Sequence, residues 1–256
     1  MLVLAHLEDT SALRLAARVR ASGAPCQIVT AEALSFAKRR THTVSSDGTH
    51  TVIELADGTV VEDASTSGVL NRCWRPPDLA WQQASPSERS YASAELHAFM
   101  VSWLSSLAGP VRNRPAGDSL AGPSPTPMSA VMAAVAAGLN VHPAVGIDSA
   151  SQPPCDPAAS TSAALGGRAV HRQVVLLDGT PFDADLDDGA AASMRVLAGR
   201  LRADSAIVGL DFVVDRGTWW FVGMTPLPEL PATAEFAEAV VHVLDAAPAT
   251  SARGRR

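Results

Sequence analysis

The chain has 256 residues, 47% apolar and 18% charged, with a formal net charge of −6. That length supplies one large domain or two small ones with a real hydrophobic core, and the acidic balance argues against non-specific nucleic-acid binding. The apolar runs, such as Ala130–Leu139, fall well short of a bilayer span, and the opening "MLVLAHLEDT" lacks the basic n-region of a cleaved signal.

"LVLAH" (Leu2–His6) is an apolar strand that ends in a polar group. Leu13, Ala16, Ala17 and Arg20 then recur at helical spacing, with Asp9 or Thr10 as N-cap and Gly23 as stop. "CQIVT" (Cys26–Thr30) is the next strand, which completes a βαβ unit with parallel strands. "THTVSSDG" and "HTVIELADGTVVED" follow, the second turning at Asp57-Gly58 between alternating β-branched residues. "GVLNRC" (Gly68–Cys73) is a further buried strand. Ser85, Pro86 and Glu88 open the clearest helix as cap, first-turn proline and capping box, and Gly109-Pro110 closes it. "PVRNRP" (Pro110–Pro115) adds another strand.

The Gly/Pro/Ser-rich "AGDSLAGPSPTP" divides the chain into domains 1–115 and 116–256. In the second, an Ala-rich helix from Pro127 to Ala137 stops at Gly138, and "LNVHPAVGI" runs extended. Residues 149–167 show neither periodicity nor core-forming side chains and read as an irregular loop. A hairpin turning at Asp178-Gly179 and a helix over Asp188–Arg202 precede the last hairpin, "GLDFVVDRGTWWFVGMTPLP". That hairpin turns at Asp215-Arg216-Gly217, and Pro226 and Pro228 end its pairing. Trp219 and Trp220 point to opposite faces, one of them into the core. "TAEFAEAVVHVL" (Thr233–Leu244) is a closing amphipathic helix.

Three widely spaced cysteines, Cys26, Cys73 and Cys155, suit a reducing compartment, so a cytoplasmic location is expected. Two strands end alike, in Asn71-Arg72 and Asn113-Arg114. Polar groups at the carboxyl ends of parallel strands face the crevice where ligands bind, and Arg matches carboxylate or phosphate, so these four residues are ligand-binding candidates. His6 ends its strand in the same manner. Asp178, Asp183, Asp185, Asp187 and Asp188 crowd into eleven residues but lack calcium-loop spacing, and no zinc pair, nucleophile elbow or Walker motif is present, so no metal site is read. Gly166-Gly167 alone makes no phosphate loop. Lys38 is the single lysine among twenty basic residues, which excludes any mechanism needing two.

The order of elements and the last hairpin resemble the ATP-grasp superfamily, ligases that join a carboxylate to an amine or thiol through an acyl-phosphate. The likeness rests on "AAVAAGLNVHP", on "VHRQVVLLDGTPFDADL" and on "GLDFVVDRGTWWFVGMTPLP". It implies an α/β fold: a small parallel-sheet pre-ATP-grasp domain, then a reduced α+β ATP-grasp-like domain with antiparallel strands. The family's final hairpin supplies metal ligands, an Asp on its first strand and a Glu-x-Asn at the end of its second. Here the Asp matches Asp211, the Glu falls on Gly223 and the Asn on Thr225. The family's two phosphate-binding lysines have no counterpart, and the segment 143–168 is short for its smaller lobe.

The expectation is therefore a degenerate ATP-grasp-like protein without ATP- and Mg²⁺-driven ligase activity. It would hold a small carboxylate, a peptide or a partner enzyme in the inter-domain cleft, with no cofactor, no nucleic acid and no membrane, and a homodimer is allowed. The alternative is an active ligase-type enzyme with a non-standard site or a lobe supplied by a partner chain. It would use Asp211, His171 and Arg172 for acid–base work, with Arg168 beside Arg172 for phosphate, and ATP and Mg²⁺ as cofactors.

Overall fold

Apolar alternation and cap chemistry become two structural units in the computed structural model, which describes residues 1–116, 119–141, 170–182, 186 and 188–245. One unit comprises Met1–Ala121 and the described residues from Ala232 onward; the other is Gly122–Pro231. A division at residue 115 would leave the closing helix with the second unit, but that helix returns to the first. No helix among the described residues is long and apolar enough to cross a membrane.

The first unit begins with β1 (Leu2–Ala5), α1 (Thr10–Ala21), β2 (Gln27–Thr30) and α2 (Ala31–Ser35). Asp9 caps α1 by accepting the Ala12 N–H at 3.0 Å, and Thr30 caps α2, a short helix without a periodic apolar signal of its own. Next come β3 (Arg39–Ser45), β4 (Gly48–Glu54) and β5 (Val60–Glu62), a three-stranded antiparallel sheet in that order. Gly58, with φ +89°, makes the β4–β5 turn that the Asp57-Gly58 pair predicts. β6 (Val69–Asn71), α3 (Pro86–Ser106) and β7 (Val111–Arg112) follow. Both hydrogen bonds of the Ser85–Glu88 capping box are present. The parallel strands run in the order β2-β1-β6-β7. Their core packs Leu2, Leu4, Val29 and Val69 against Met100, Trp103 and Leu104 of α3 and Ile53 of β4. Each such fully buried leucine is worth roughly 1.5–3 kcal/mol.

In the second unit, α4 (Pro127–Ala136) is capped by Thr126 and stops where Gly138 takes φ +80°. β8 (Val170–Leu177), β9 (Thr180–Phe182), α5 (Asp188–Arg200), β10 (Ile207–Asp215) and β11 (Thr218–Thr225) complete it. The strands form one antiparallel sheet in the order β11-β10-β8-β9. Asp178 and Gly179 both have positive φ, as do Arg216 and Gly217. The twist of two-residue hairpins demands that conformation. One sheet face, with Val174, Leu176, Val208, Leu210, Phe212 and Phe221, buries against Ala130 and Ala134 of α4 and Met194 and Leu197 of α5. Trp219 packs on that face, edge-on to Phe212.

The closing helix is α6 (Ala234–Asp245), which packs on α1. Arg112 Nη2 donates to the Val243 carbonyl, and Ser67 Oγ donates to the Asp245 carboxylate at 3.0 Å. Gly68 lets the Leu244 carbonyl approach so closely that an added Cβ would sit 2.2 Å from its oxygen. The cysteine at 155, the acids at 183, 185 and 187, the glycine pair at 166–167, Arg168 and the irregular stretch 149–167 lie outside the described residues.

Candidate functional site

In the first unit the strand ends gather the polar residues singled out from sequence, but most of their hydrogen bonds serve the fold. Asn71 is fully buried; its amide donates to the Asn113 carbonyl at 2.8 Å and the Leu120 carbonyl at 2.5 Å, and its Oδ1 accepts the Cys73 N–H. Asn113, also buried, adopts φ +58°, which asparagine tolerates better than most residues. Arg114 Nη1 donates to the Leu104 and Ser105 carbonyls at the end of α3, where helix carbonyls lack intrahelical partners. Arg72 is 2% exposed, and its Nε lies 2.5 Å from Asp9 Oδ2. Burial pushes the Asp9 carboxyl up, yet the Arg72 hydrogen bond and charge, with the Ala12 N–H and Ser11 hydroxyl, carry it below its ordinary range. The N-cap of α1 is thereby tied to the end of β6.

His6 is different. It is buried, its Nδ1 lies 3.4 Å from Glu32 Oε1, and its Nε2 has no hydrogen-bond partner among the described residues. Burial lowers its pKa more than Glu32 raises it, so the ring is neutral at pH 7. Trp74 lies against the ring at a centroid separation of 3.9 Å.

The second unit builds its polar group on the sheet face opposite α4 and α5. Asp211 of β10 stands in register with Gln173 of β8 and Gly223 of β11. A bulge between Asp211 and Phe212 gives β11 one extra residue, Val222, so Gly223 shares the Asp211 face while Phe221 stays in the core. Gln173 Nε2 donates to Asp211 Oδ1 at 2.8 Å, and Gln173 Oε1 accepts the Glu229 N–H at 3.0 Å. His171 Nε2 lies 3.4 Å from Asp211 Oδ1.

The structure thus joins His171 to Asp211, while Arg172, next along β8, pairs in register with Phe212 and projects to the other face. An added Cβ at Gly223 would meet nothing within 4 Å. At Gly209, by contrast, it would lie 2.8 Å from the Thr225 methyl, 2.9 Å from Pro228 and 3.0 Å from the Gln173 amide carbon. The chain after β11 therefore folds back over this face. Gln173, Glu32 and Asp9 were not among the sequence-predicted site residues. Alternation with His171 places Gln173 on the Asp211 face, but only strand register brings the two together.

No family model matches the sequence, and no curated protein matches it. Solved structures do match the fold. The macrocyclase MdnC from Microcystis aeruginosa MRC, bound with precursor peptide MdnA, superposes with a TM-score of 0.65 at 13% identity, over 94% of this chain and 99% of that one. A Chryseobacterium gregarium RiPP-associated ATP-grasp ligase, in complex with ADP and a leader and core peptide, gives 0.63 at 9% identity, over 96% and 97%. The ATP-grasp ligase PsnB, complexed with minimal precursor, Mg and ADP, gives 0.61 at 13% identity, over 95% and 97%. The chain has an ATP-grasp-like fold.

Proposed function

We propose that this protein binds a peptide on an ATP-grasp-like scaffold and does not itself hold Mg-ATP for ligation. The observation that carries the reading is the Asp211 position. The place facing it across the hairpin is Gly223, which offers no ligand, and its Oδ1 is engaged by Gln173 and His171. Mg²⁺ that bridges phosphates takes one or two protein carboxylates beside them, and among the described residues this face supplies a single one, already engaged by Gln173 and His171, which is a poor fit to that group. The peptide as ligand is supported by the structural neighbours, three of which hold precursor, leader or core peptides. A cytoplasmic location belongs to the same reading.

Isothermal titration of the full chain tests it. Short peptides are expected to bind saturably and Mg-ATP not to bind; saturable micromolar binding of Mg-ATP overturns it.

A second reading, an active ATP-grasp-type ligase, is favoured by the span of the likeness. The ligase neighbours align over nearly all of this chain and of their own. That reading expects peptide-dependent ADP release, abolished by Asp211→Ala and by His171→Ala in variants that keep their melting temperature. Turnover left intact by both substitutions removes it.

A further inference from the structure

The carboxyl-end rim of the first unit's parallel sheet carries side chains that the fold does not use. β1 and β6 are neighbours whose onward connections leave in opposite directions, toward β2 on one side and β7 on the other. The space outside their ends is a topological switch point, where open α/β sheets receive ligands. Four large apolar side chains stand exposed on the loops of this rim. They are Leu7 at 58%, Phe36 at 57%, Trp74 at 38% and Trp81 at 45%. The loops are tied together: the Leu7 N–H donates to Glu32, the His6 ring lies against Trp74, and the Leu79 N–H donates to the Ser35 hydroxyl beside Phe36. Apolar side chains scattered singly need no explanation, but a cluster on one rim marks an interaction surface.

Charge identifies the occupant. Burial raises the Glu32 carboxyl, but hydrogen bonds from its own N–H, the Leu7 N–H and His6 more than offset this, so Glu32 is ionised at neutral pH. Glu8 is matched by Arg75 at 3.2 Å and Asp9 by Arg72, whereas Glu32 faces an imidazole that burial holds neutral. One carboxylate of the rim is therefore not balanced by a cation. With Nδ1–H directed at Glu32, His6 Nε2 presents a lone pair, and this buried nitrogen has no partner among the described residues. That nitrogen is buried, with the Trp74 ring against the imidazole, so a ligand on this rim meets the partly exposed Glu32 carboxylate and leaves His6 Nε2 covered. Arg75 already lies over the Trp74 ring, 5.6 Å from its centroid, which shows that the indole accepts a cation on its face.

We infer that this rim docks a basic, apolar peptide segment, whose Lys or Arg meets Glu32 while a neighbouring apolar side chain covers Leu7 and Trp74. The inference rests on the peptide-binding reading above and gives that peptide a place and a chemistry.

Fluorescence anisotropy on the full chain tests it with three labelled synthetic peptides of one length. One combines Leu and Arg, the second replaces Arg by Glu, and the third replaces Leu by Ser. The Leu/Arg peptide is expected to bind saturably and the other two about tenfold or more weakly. Leu7→Ser, Trp74→Ser and Glu32→Gln should each weaken the Leu/Arg peptide by about tenfold, whereas Val44→Ser, exposed on β3, should not. Thermal melts show that each variant is folded, and Leu7→Ser, at an exposed position, keeps the test decisive if Glu32→Gln unfolds. Equal affinity of the rim variants and the native chain overturns this surface while leaving peptide binding in place. Equal binding of the Glu-bearing peptide overturns the charge assignment, and saturable binding by no peptide at all overturns the peptide reading itself.

Discussion

Restoring a carboxylate opposite Asp211 tests why this sheet face does not suit a divalent cation. Gly223 is in register with Asp211 on the same face, its φ lies outside the left-handed region, and a Cβ there meets open space. Gly223→Glu is therefore sterically free, and replacing a strand glycine stabilises by about 0.5–1 kcal/mol. Directly opposed strand residues have Cβ atoms about 5 Å apart. Two ionised carboxylates at about that distance repel by about 3 kcal/mol at an effective dielectric constant near 20. The variant should thus be less stable than the native chain at pH 8 by about 2 kcal/mol, lowering its melting temperature by several degrees. Repulsion of that size raises one of the two carboxyls by about two pKa units, so the deficit should shrink at pH 5. A divalent cation placed between the two carboxylates should also relieve it. The assay is thermal melting of both proteins at pH 8 and pH 5, with and without Mn²⁺. Stabilisation by Mn²⁺ that appears in the variant alone supports the reasoning. An equal Mn²⁺ effect on the native chain would refute it, as would a variant indifferent to both pH and metal.

Further outcomes follow from the same contacts. Asp9→Ala removes the α1 cap and strips a buried guanidinium of its carboxylate, which should cost about 3–5 kcal/mol in urea unfolding; a loss below about 1 kcal/mol, typical of an exposed pair, would contradict its burial. Gly68→Ala places a methyl against the Leu244 carbonyl, at a cost of about 1–3 kcal/mol or more, and limited proteolysis should cut α6 first. Gly209→Ala should destabilise by a similar amount, about 1–3 kcal/mol, because Thr225, Pro228 and Gln173 already fill the space. His6 has a folded pKa below its ordinary 6.5, so the folded chain binds fewer protons than the unfolded one just below that pH. Its contribution is present above pH 6.5 and lost as pH falls toward the folded value. The native melting temperature should accordingly drop between pH 7 and pH 5, and His6→Gln should flatten that limb.

The elements with local chemistry were legible without coordinates. The Ser85–Glu88 box, Asp57-Gly58 and Asp178-Gly179 act within a few residues of themselves, so their cap and turns formed where the sequence placed them, and of the two α1 caps it allowed, Asp9 and Thr10, the structure uses Asp9. The short helix α2 was not legible, since five residues cannot show a 3.6-residue period. Nor was the two-residue length of β7, whose pairing depends on β6 alone.

The sequence by itself determined the ATP-grasp-like order of elements and the hairpin turns, because turn chemistry and strand alternation are local, whereas the bulge that sets Gly223 instead of Val222 opposite Asp211 belongs to the folded sheet. Tertiary structure alone decided the rest. It returned α6 to the first unit, turned Asn71, Arg72 and Arg114 toward neighbouring backbone and Asp9, and set Gln173 and His171 beside Asp211. Except for Arg114, whose acceptors lie nine and ten residues back, those partners lie tens of residues apart along the chain, and which polar groups meet is settled by strand order and burial, which no local pattern encodes.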